Sequence, residues 1–414
     1  VSPATIAGRS DVEEDGVATR PEDRIREEFD RELPTILALS HHMSANPELA
    51  FEEHGTAAAI LAVLREHGGF TVEESVGGLA TAFTATVGSG GLVVGLCAEL
   101  DALPGIGHGC GHNVIAASAV GAALALAPVA DQLDLTVRLL GTPAEERGAG
   151  KAILLRHGVF DGLHAALMVH PTLKDMATPH IRALGHWAVS FHGRTGHASR
   201  PFDALNAADA VTVAQVAIGL LRQQMRDSDR VHTVIKHAGD SVNVIPGEAI
   251  VEVMVRSDDL SQVEELWSRV RACFEAGALA AGVTMEISEP LMWLNGFRHD
   301  SDLAHLFRQN AEALGRTFPD YPDRSLGSTD MSEVSVHMPA IHPVLSLAGA
   351  PEDGNHTAAF ARLAAGPEGD RAVRDGGLAL ALTIADAALD RELRHRLTRP
   401  GPFRWSSPAG GTQR

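Results

Sequence analysis

The chain has 414 residues, 45% of them hydrophobic and 21% charged, more than one ordinary core accommodates, so two domains are expected. Its 34 basic against 53 acidic side chains leave a net charge of −19, which argues against nucleic acid or an anionic membrane as partner. No window approaches the roughly 18 uninterrupted apolar residues of a membrane span, and the first thirty residues are acidic and polar rather than shaped like a signal peptide, so the expected location is cytoplasmic.

Residues 1–20 lack periodicity and read as a mobile tail. From Pro21 to Ser44 apolar residues recur at helical spacing (Ile25, Phe29, Leu33, Ile36, Leu37), with Pro34 a candidate kink, and Thr56 to Glu66 forms a second helix. His41-His42 has no carboxylate or thiol beside it and reads as a surface pair. Thr81 to Val87 and Leu92 to Leu100 are strand-like and joined by the turn Gly88-Ser89-Gly90-Gly91.

The stretch from Asp101 to Asn113 then packs a carboxylate, a thiol and two imidazoles into a glycine-rich turn ahead of an alanine-rich helical run to Ala127. The earlier Gly88 to Gly91 cluster is not a phosphate loop, since no Gly-Lys-Ser/Thr follows, and the Gly105 to Gly111 segment is not a dinucleotide fingerprint, because Cys110 stands where a third glycine is needed. Cys110 and His112 are candidate metal ligands, although Cys-x-His alone supplies too few. Cys97 and Cys273 lie in apolar runs and read as packing, and the three cysteines have no disulfide-framework spacing.

A strand (Leu135 to Leu140), a helix (Gly150 to His157) and another strand (Ala165 to Val169) follow. Strands alternating with helices predict an α/β fold with a mostly parallel sheet flanked by helices. Each strand ends in a polar cluster, Pro143-Ala144-Glu145-Glu146 after one and His170-Pro171 after the next. From about Gly185 the pattern changes: strands at His186 to His192, Ala249 to Arg256 and Thr284 to Ser288 and helices at Asn206 to Arg226 and Leu260 to Ala281 describe a smaller α/β sandwich. The helix-strand alternation of the first region resumes with Ala304 to Leu314, a strand near Ile341 to Leu347 and a helix from Arg371 to Leu389. The expected organisation is a first domain of residues 21–184 and 294–395, a domain of residues 185–293 inserted into it, and a second mobile tail over residues 396–414.

The donors that could share one crevice are Cys110, His112, Glu145, Glu146, His170 and His356, the last competing with His337 and His342. Thiolate, imidazole and carboxylate suit zinc, manganese or cobalt, and six donors exceed what one tetrahedral ion uses. Taken singly, Glu145-Glu146 also fits a solvated pair and His170 a structural strand end.

In order and spacing these segments resemble the metal-dependent aminoacylase and carboxypeptidase G family, and within it the indole-acetyl-amino-acid and p-aminobenzoyl-glutamate hydrolases. The resemblance rests on Asp101-Ala102-Leu103-Pro104, Cys110-Gly111-His112, Pro143 to Glu146 and His170-Pro171. Asn46 to Leu49, Phe51 to His54, Gly196-His197-Ala198-Ser199 and Asn243 to Pro246 support it over residues 24–390. The family's usual His-x-Asp is here Glu99-Leu100-Asp101.

The resemblance implies two divalent ions, zinc or manganese with cobalt also compatible, held by Cys110, His112, Glu146, His170 and His356. It further implies Glu145 as general base and then acid, Asp101 orienting a ligand imidazole, and His197 of the partner subunit as oxyanion donor. Arg256, Asn243 and Ser328 would contact substrate, and the inserted domain would act as lid and dimerisation surface. The implied reaction is hydrolysis of the amide bond of N-acyl or N-aroyl amino acids or small dipeptides by metal-activated water in a homodimer; the alternative is a non-catalytic homologue that binds a small carboxylate.

Overall fold

The computed structural model describes residues 20–321 and 325–399. The first expected tail, residues 1–20, lies outside them apart from Arg20, as do residues 400–414 of the second. The chain opens with helices α1 (Pro21–Ala45) and α2 (His54–His67) and strands β1 (Thr71–Glu74), β2 (Phe83–Val87) and β3 (Leu92–Glu99). Then come α3 (His112–Leu126), β4 (Leu135–Thr142), the single turn α4 (Glu145–Gly148), α5 (Gly150–Arg156), and the short strands β5 (Ala165–Leu167), β6 (His170–Thr172) and β7 (His180–Ile181).

The inserted region comprises β8 (Ala183–His192), β9 (Gly196–His197), α6 (Ala207–Leu221), β10 (Arg230–His237), β11 (Val244–Ile245), β12 (Glu248–Ser257), α7 (Leu260–Ala281), β13 (Thr284–Ile287) and β14 (Met292–Leu294). The chain returns through α8 (Ser301–Ala313), β15 (Ser325–Leu326), α9 (Met331–Ser335), β16 (Ala340–Ile341), β17 (Val344–Ser346), α10 (Ala358–Ala364), α11 (Pro367–Leu389) and α12 (Arg391–Thr398).

Six strands form the main sheet in the order β1-β2-β4-β3-β5-β16. β4, β3, β5 and β16 are parallel, and β2 and β1 extend one edge antiparallel. Parallel strands deliver their C-terminal ends to one edge, so the segments after β3, β4 and β5 converge there, where open α/β sheets hold ligands. Behind the sheet lies α3, all fifteen residues of which are buried, as an all-apolar helix must be. A Cβ on its Gly121 would stand 2.9 Å from Ile36 and Phe29, which is how closely α1 approaches. The stretch His112–Val129 is long and apolar enough to cross a membrane, yet 89% of it is buried in the protein, with α1 and α11 packed against it.

In the inserted region β10, β12, β8 and β13 form an antiparallel sheet, with β14 also pairing β8. Its apolar residues pack with α6 and α7 into a separate core around Val189, Phe191, Val251, Val253 and Phe274. Differences from the sequence reading are local. β1 and β10 were not anticipated, α1 runs through Pro34 as one helix, and α12 continues to Thr398, where Arg396 pairs with Asp300 at 2.7 Å.

Candidate metal centre and active site

The turn after β3 carries Cys110 and His112 on either side of Gly111. Gly111 has φ +80°, and a Cβ there would stand 2.4 Å from Pro171 Cγ, so glycine alone lets the backbone pass beside the His170-Pro171 segment. Cys110 Sγ then lies 3.5 Å from His170 Nε2. His170 Nδ1 is 2.8 Å from the Pro171 carbonyl oxygen, which can only accept; Nδ1 therefore carries the proton and Nε2 faces Cys110 with its lone pair.

After β4, Ala144 and Ala149 take positive φ (60° and 49°) and confine Glu145 and Glu146 to one turn between them. Asp101 holds the start of this turn: its Oδ1 accepts from the Glu145 backbone N–H at 3.1 Å and its Oδ2 from that of Glu146 at 3.0 Å. The same carboxylate lies 3.3 Å from His112 Nδ1. The buried Glu53 accepts from the Ala144 N–H at 2.9 Å and from Thr81 Oγ1 at 2.7 Å, securing the strained residue that precedes Glu145.

His356, with φ 70°, is fixed by its N–H donating to the Gly109 carbonyl at 2.7 Å, and its Nε2 stands 3.4 Å from Glu146 Oε1. Cys110, His112 and His170 thus form one triad of potential ligand atoms within 4.8 Å of one another, and Cys110, Glu146 and His356 a second, with Cys110 common to both. Of the competing histidines, His337 contacts the Glu333 carbonyl, and His342 stacks on His170 at 5.4 Å without entering either triad.

Beneath the triads lies a buried cluster that sequence reasoning missed. Lys151 Nζ donates to Glu99 Oε1 and Asp330 Oδ1, both at 2.6 Å. Glu99 Oε2 stands 3.2 Å from His112 Nε2. A lysine opening an amphipathic helix reads as solvated surface, and only the tertiary structure brings Glu99 and Asp330 to it.

The electrostatics are those of a cation site. Burial, with Glu146 and Glu145 nearby, pushes the Cys110 thiol above its ordinary value. Burial disfavours the charged form of His112, but Glu99 and Asp101 outweigh it and hold the imidazole well above its usual range. Glu145 is driven well above the carboxylate range by burial and by Glu99, Asp330 and Glu146, with Lys151 opposing. His112 Nε2, Glu99 Oε2 and Glu146 Oε1 are buried and face one another or His356 Nε2 at 3.2–4.0 Å without a well-aligned hydrogen bond. Buried donors left open around a thiol and several carboxylates fit divalent cations.

The other anticipated residues lie elsewhere. His197 is exposed on β9, its Nδ1 2.8 Å from Ser199 Oγ, and it belongs to neither triad. Asn243 is exposed and accepts from Ser241 Oγ at 2.5 Å. Arg256 ends β12 close enough for its charge to act on His356, and the Ser328 hydroxyl is buried without a partner. Cys97 is fully buried and Cys273 partly so; both are free thiols.

Residues 95–367 match the family described as Peptidase family M20/M25/M40, and the chain belongs to that family and is a hydrolase. It is 33% identical to the Xaa-Arg dipeptidase of Mus musculus over 386 residues, covering 89% of this chain and 88% of that one. It is 34% identical to one subunit of the p-aminobenzoyl-glutamate hydrolase of Escherichia coli, over 63% of this chain and 58% of that one. Among solved structures, a Bacillus subtilis dinuclear metal-binding peptidase from the M20 family superposes with TM-score 0.66 at 22% identity, over 86% of this chain and 98% of that one. The fold with its inserted domain is therefore the one these hydrolases share.

Proposed function

We propose that the chain is a metal-dependent amidohydrolase that cleaves the amide bond of N-acyl or N-aroyl amino acids or small dipeptides, with Glu145 as general base and then general acid. The observation that carries this reading is the pair of ligand triads sharing Cys110, with Glu145 beside them, within 4.8 Å of ligand atoms of His112 and Glu146 on one side and of Glu99 and Asp330 on the other. Cys110, His112 and His170 would hold one divalent ion and Cys110, Glu146 and His356 another; the thiol and imidazoles suit zinc, with manganese and cobalt also compatible. When bound, such ions acidify water and polarise an amide carbonyl.

The protein's own side chains supply the rest. Glu145, whose carboxyl is held well above the ordinary range by burial and neighbouring carboxylates, can take a proton from water and return it to the leaving amine. Asp101 orients both Glu145 and His112 through its Oδ1, while its Oδ2 accepts from the Glu146 N–H. Arg256 is the proposed partner of the substrate carboxylate, since its planar fork suits a bidentate contact. Glu145→Gln should lower turnover by about 10²- to 10⁴-fold while bound metal is retained; unchanged turnover on a panel of acyl, aroyl and dipeptide amides would refute the assignment.

The same reading includes a homodimer formed through the inserted region. Val234 (49% exposed) and Ile235 (46%) on the edge strand β10, with Val216 (61%) and Leu220 (63%) on α6, call for cover by a second copy. In such a dimer His197 would serve the partner's site as oxyanion donor. A fully active monomer in light scattering would remove this part of the reading.

A further inference from the structure

Two segments that stand out in the sequence, Asn46 to Leu49 and Phe51 to His54, supply none of the candidate ligands and no group to the proposed reaction, yet both are hydrogen-bonded to the residues that carry it. The Glu48 carbonyl accepts from the Ala102 N–H at 2.7 Å, next to Asp101, while the Glu48 carboxylate takes the N–H groups of Gly55 at 2.9 Å and Thr56 at 2.7 Å and so fixes the segment to the start of α2. Glu53 is completely buried. Its Oε1 accepts from the Ala144 N–H at 2.9 Å and from the Phe51 N–H at 3.0 Å, and its Oε2 from Thr81 Oγ1 at 2.7 Å. All three partners donate, so the carboxyl group serves as an acceptor at both oxygens.

Both backbone donors belong to residues in the left-handed conformation, Ala144 with φ 60° and Phe51 with φ 69°. A β-carbon makes that conformation costly, so neither residue adopts it by its own preference. The acceptor they share offsets the cost at both. Phe51 then closes the far end of the turn, where a Cβ on Gly148 would stand 2.3 Å from Phe51 Cζ. The two Asp101 bonds fix the first N–H groups of α4, but the angle at which the turn leaves β4 is set one residue earlier, at Ala144.

We propose that Glu53 is a positioning residue for Glu145: by holding Ala144 in its left-handed conformation it sets the direction of the turn and so aims the carboxyl group of the general base. This rests on the hydrolase reading above and deepens it. The role requires an acceptor rather than a charge, because a glutamine carbonyl oxygen can take the same two N–H groups while its amide faces Thr81 Oγ1. Misplacing a reacting group by a fraction of its reach is enough to slow turnover, since proton transfer needs hydrogen-bond geometry.

The test compares Glu53→Leu and Glu53→Gln on the metal-loaded full chain, each alone and combined with Glu145→Gln. In Glu53→Leu the Ala144 amide should exchange with solvent at least about 10-fold faster, the loss of one hydrogen bond to a charged acceptor, and kcat should fall by about 10-fold or more. Glu53→Gln should keep both within about 3-fold of the parent. With Glu145→Gln already present, Glu53→Leu should cost no further turnover, because the base it aims is gone; a merely structural defect would cost the same factor in both backgrounds. Should Glu53→Leu not fold, Thr81→Val, which keeps the carboxylate and frees its Oε2, should show the same changes at smaller size. Unaltered exchange of the Ala144 amide, an equal loss in the two backgrounds, or a Glu53→Gln as damaged as Glu53→Leu would overturn the proposal. Exchange needs no turnover: faster exchange in Glu53→Leu but not in Glu53→Gln supports the clamp even if no amide is cleaved, an outcome that would count against the hydrolase reading alone.

Discussion

Lys151 Nζ and Glu99 Oε1 meet at 2.6 Å in a place where both side chains are almost wholly shielded from water. Burial alone would strip the ammonium of its proton, but Asp330 and Glu99 outweigh it and keep Lys151 charged. Removing one partner of a buried pair leaves the others uncompensated, which typically costs about 3–5 kcal/mol. Lys151→Met should therefore lower the stability of the metal-free chain by about that amount in urea denaturation, since Glu99 and Asp330 would stay buried beside each other. A midpoint equal to that of the parent would show that the ammonium does not neutralise this cluster.

Asp101 accepts from the first turn of α4 with both oxygens, and the Oδ1 that takes the Glu145 N–H also faces the His112 imidazole. Asp101→Ala leaves two backbone N–H groups and one imidazole nitrogen without their acceptor. Losing a carboxylate that orients a ligand histidine weakens metal binding by about 10- to 100-fold. Competition with a chelating dye reads this directly, and an affinity equal to the parent's would mean that His112 is held by other contacts.

His342 gives a pH dependence with a definite sign. Burial, with the charge of His170 adding to it, lowers His342 to about 3, against an ordinary 6.5, and both ring nitrogens lack partners. The folded state thus resists a proton that the unfolded chain accepts, so stability is present above pH 6.5 and is lost as pH falls towards 3. Between pH 7 and pH 5 this one group should account for about 2 kcal/mol of destabilisation. Denaturant midpoints of metal-free protein at the two pH values should differ by that much less in His342→Asn; an unchanged difference would mean that His342 does not titrate as a buried neutral ring.

Much of the candidate site could be read from sequence because parallel strands leave their ends at one edge. Cys110, Glu146 and His170 lie in segments that open at the ends of apolar runs, so placing the strands places the donors. His356 shares its region with His337 and His342, and choosing it over them took the family resemblance. Lys151 was out of reach, and so was the pairing of Asp330 with it, since each acquires its role from a partner distant in the chain. β10 alternates only weakly and is an edge strand with exposed apolar residues, so no continuous apolar run marks it. α12 escaped notice because only Leu393 and Leu397 of its eight residues are buried.

The central claim is that five side chains hold two cations around a shared thiol, and elemental analysis joined to turnover tests it most directly. The chain saturated with zinc or manganese and freed of excess should carry two divalent ions, Cys110→Ala should fall below one, and a strong chelator should abolish amide hydrolysis until metal is restored. A chain that carries no ion under saturating conditions, or that hydrolyses amides at full rate in chelator, would contradict the account.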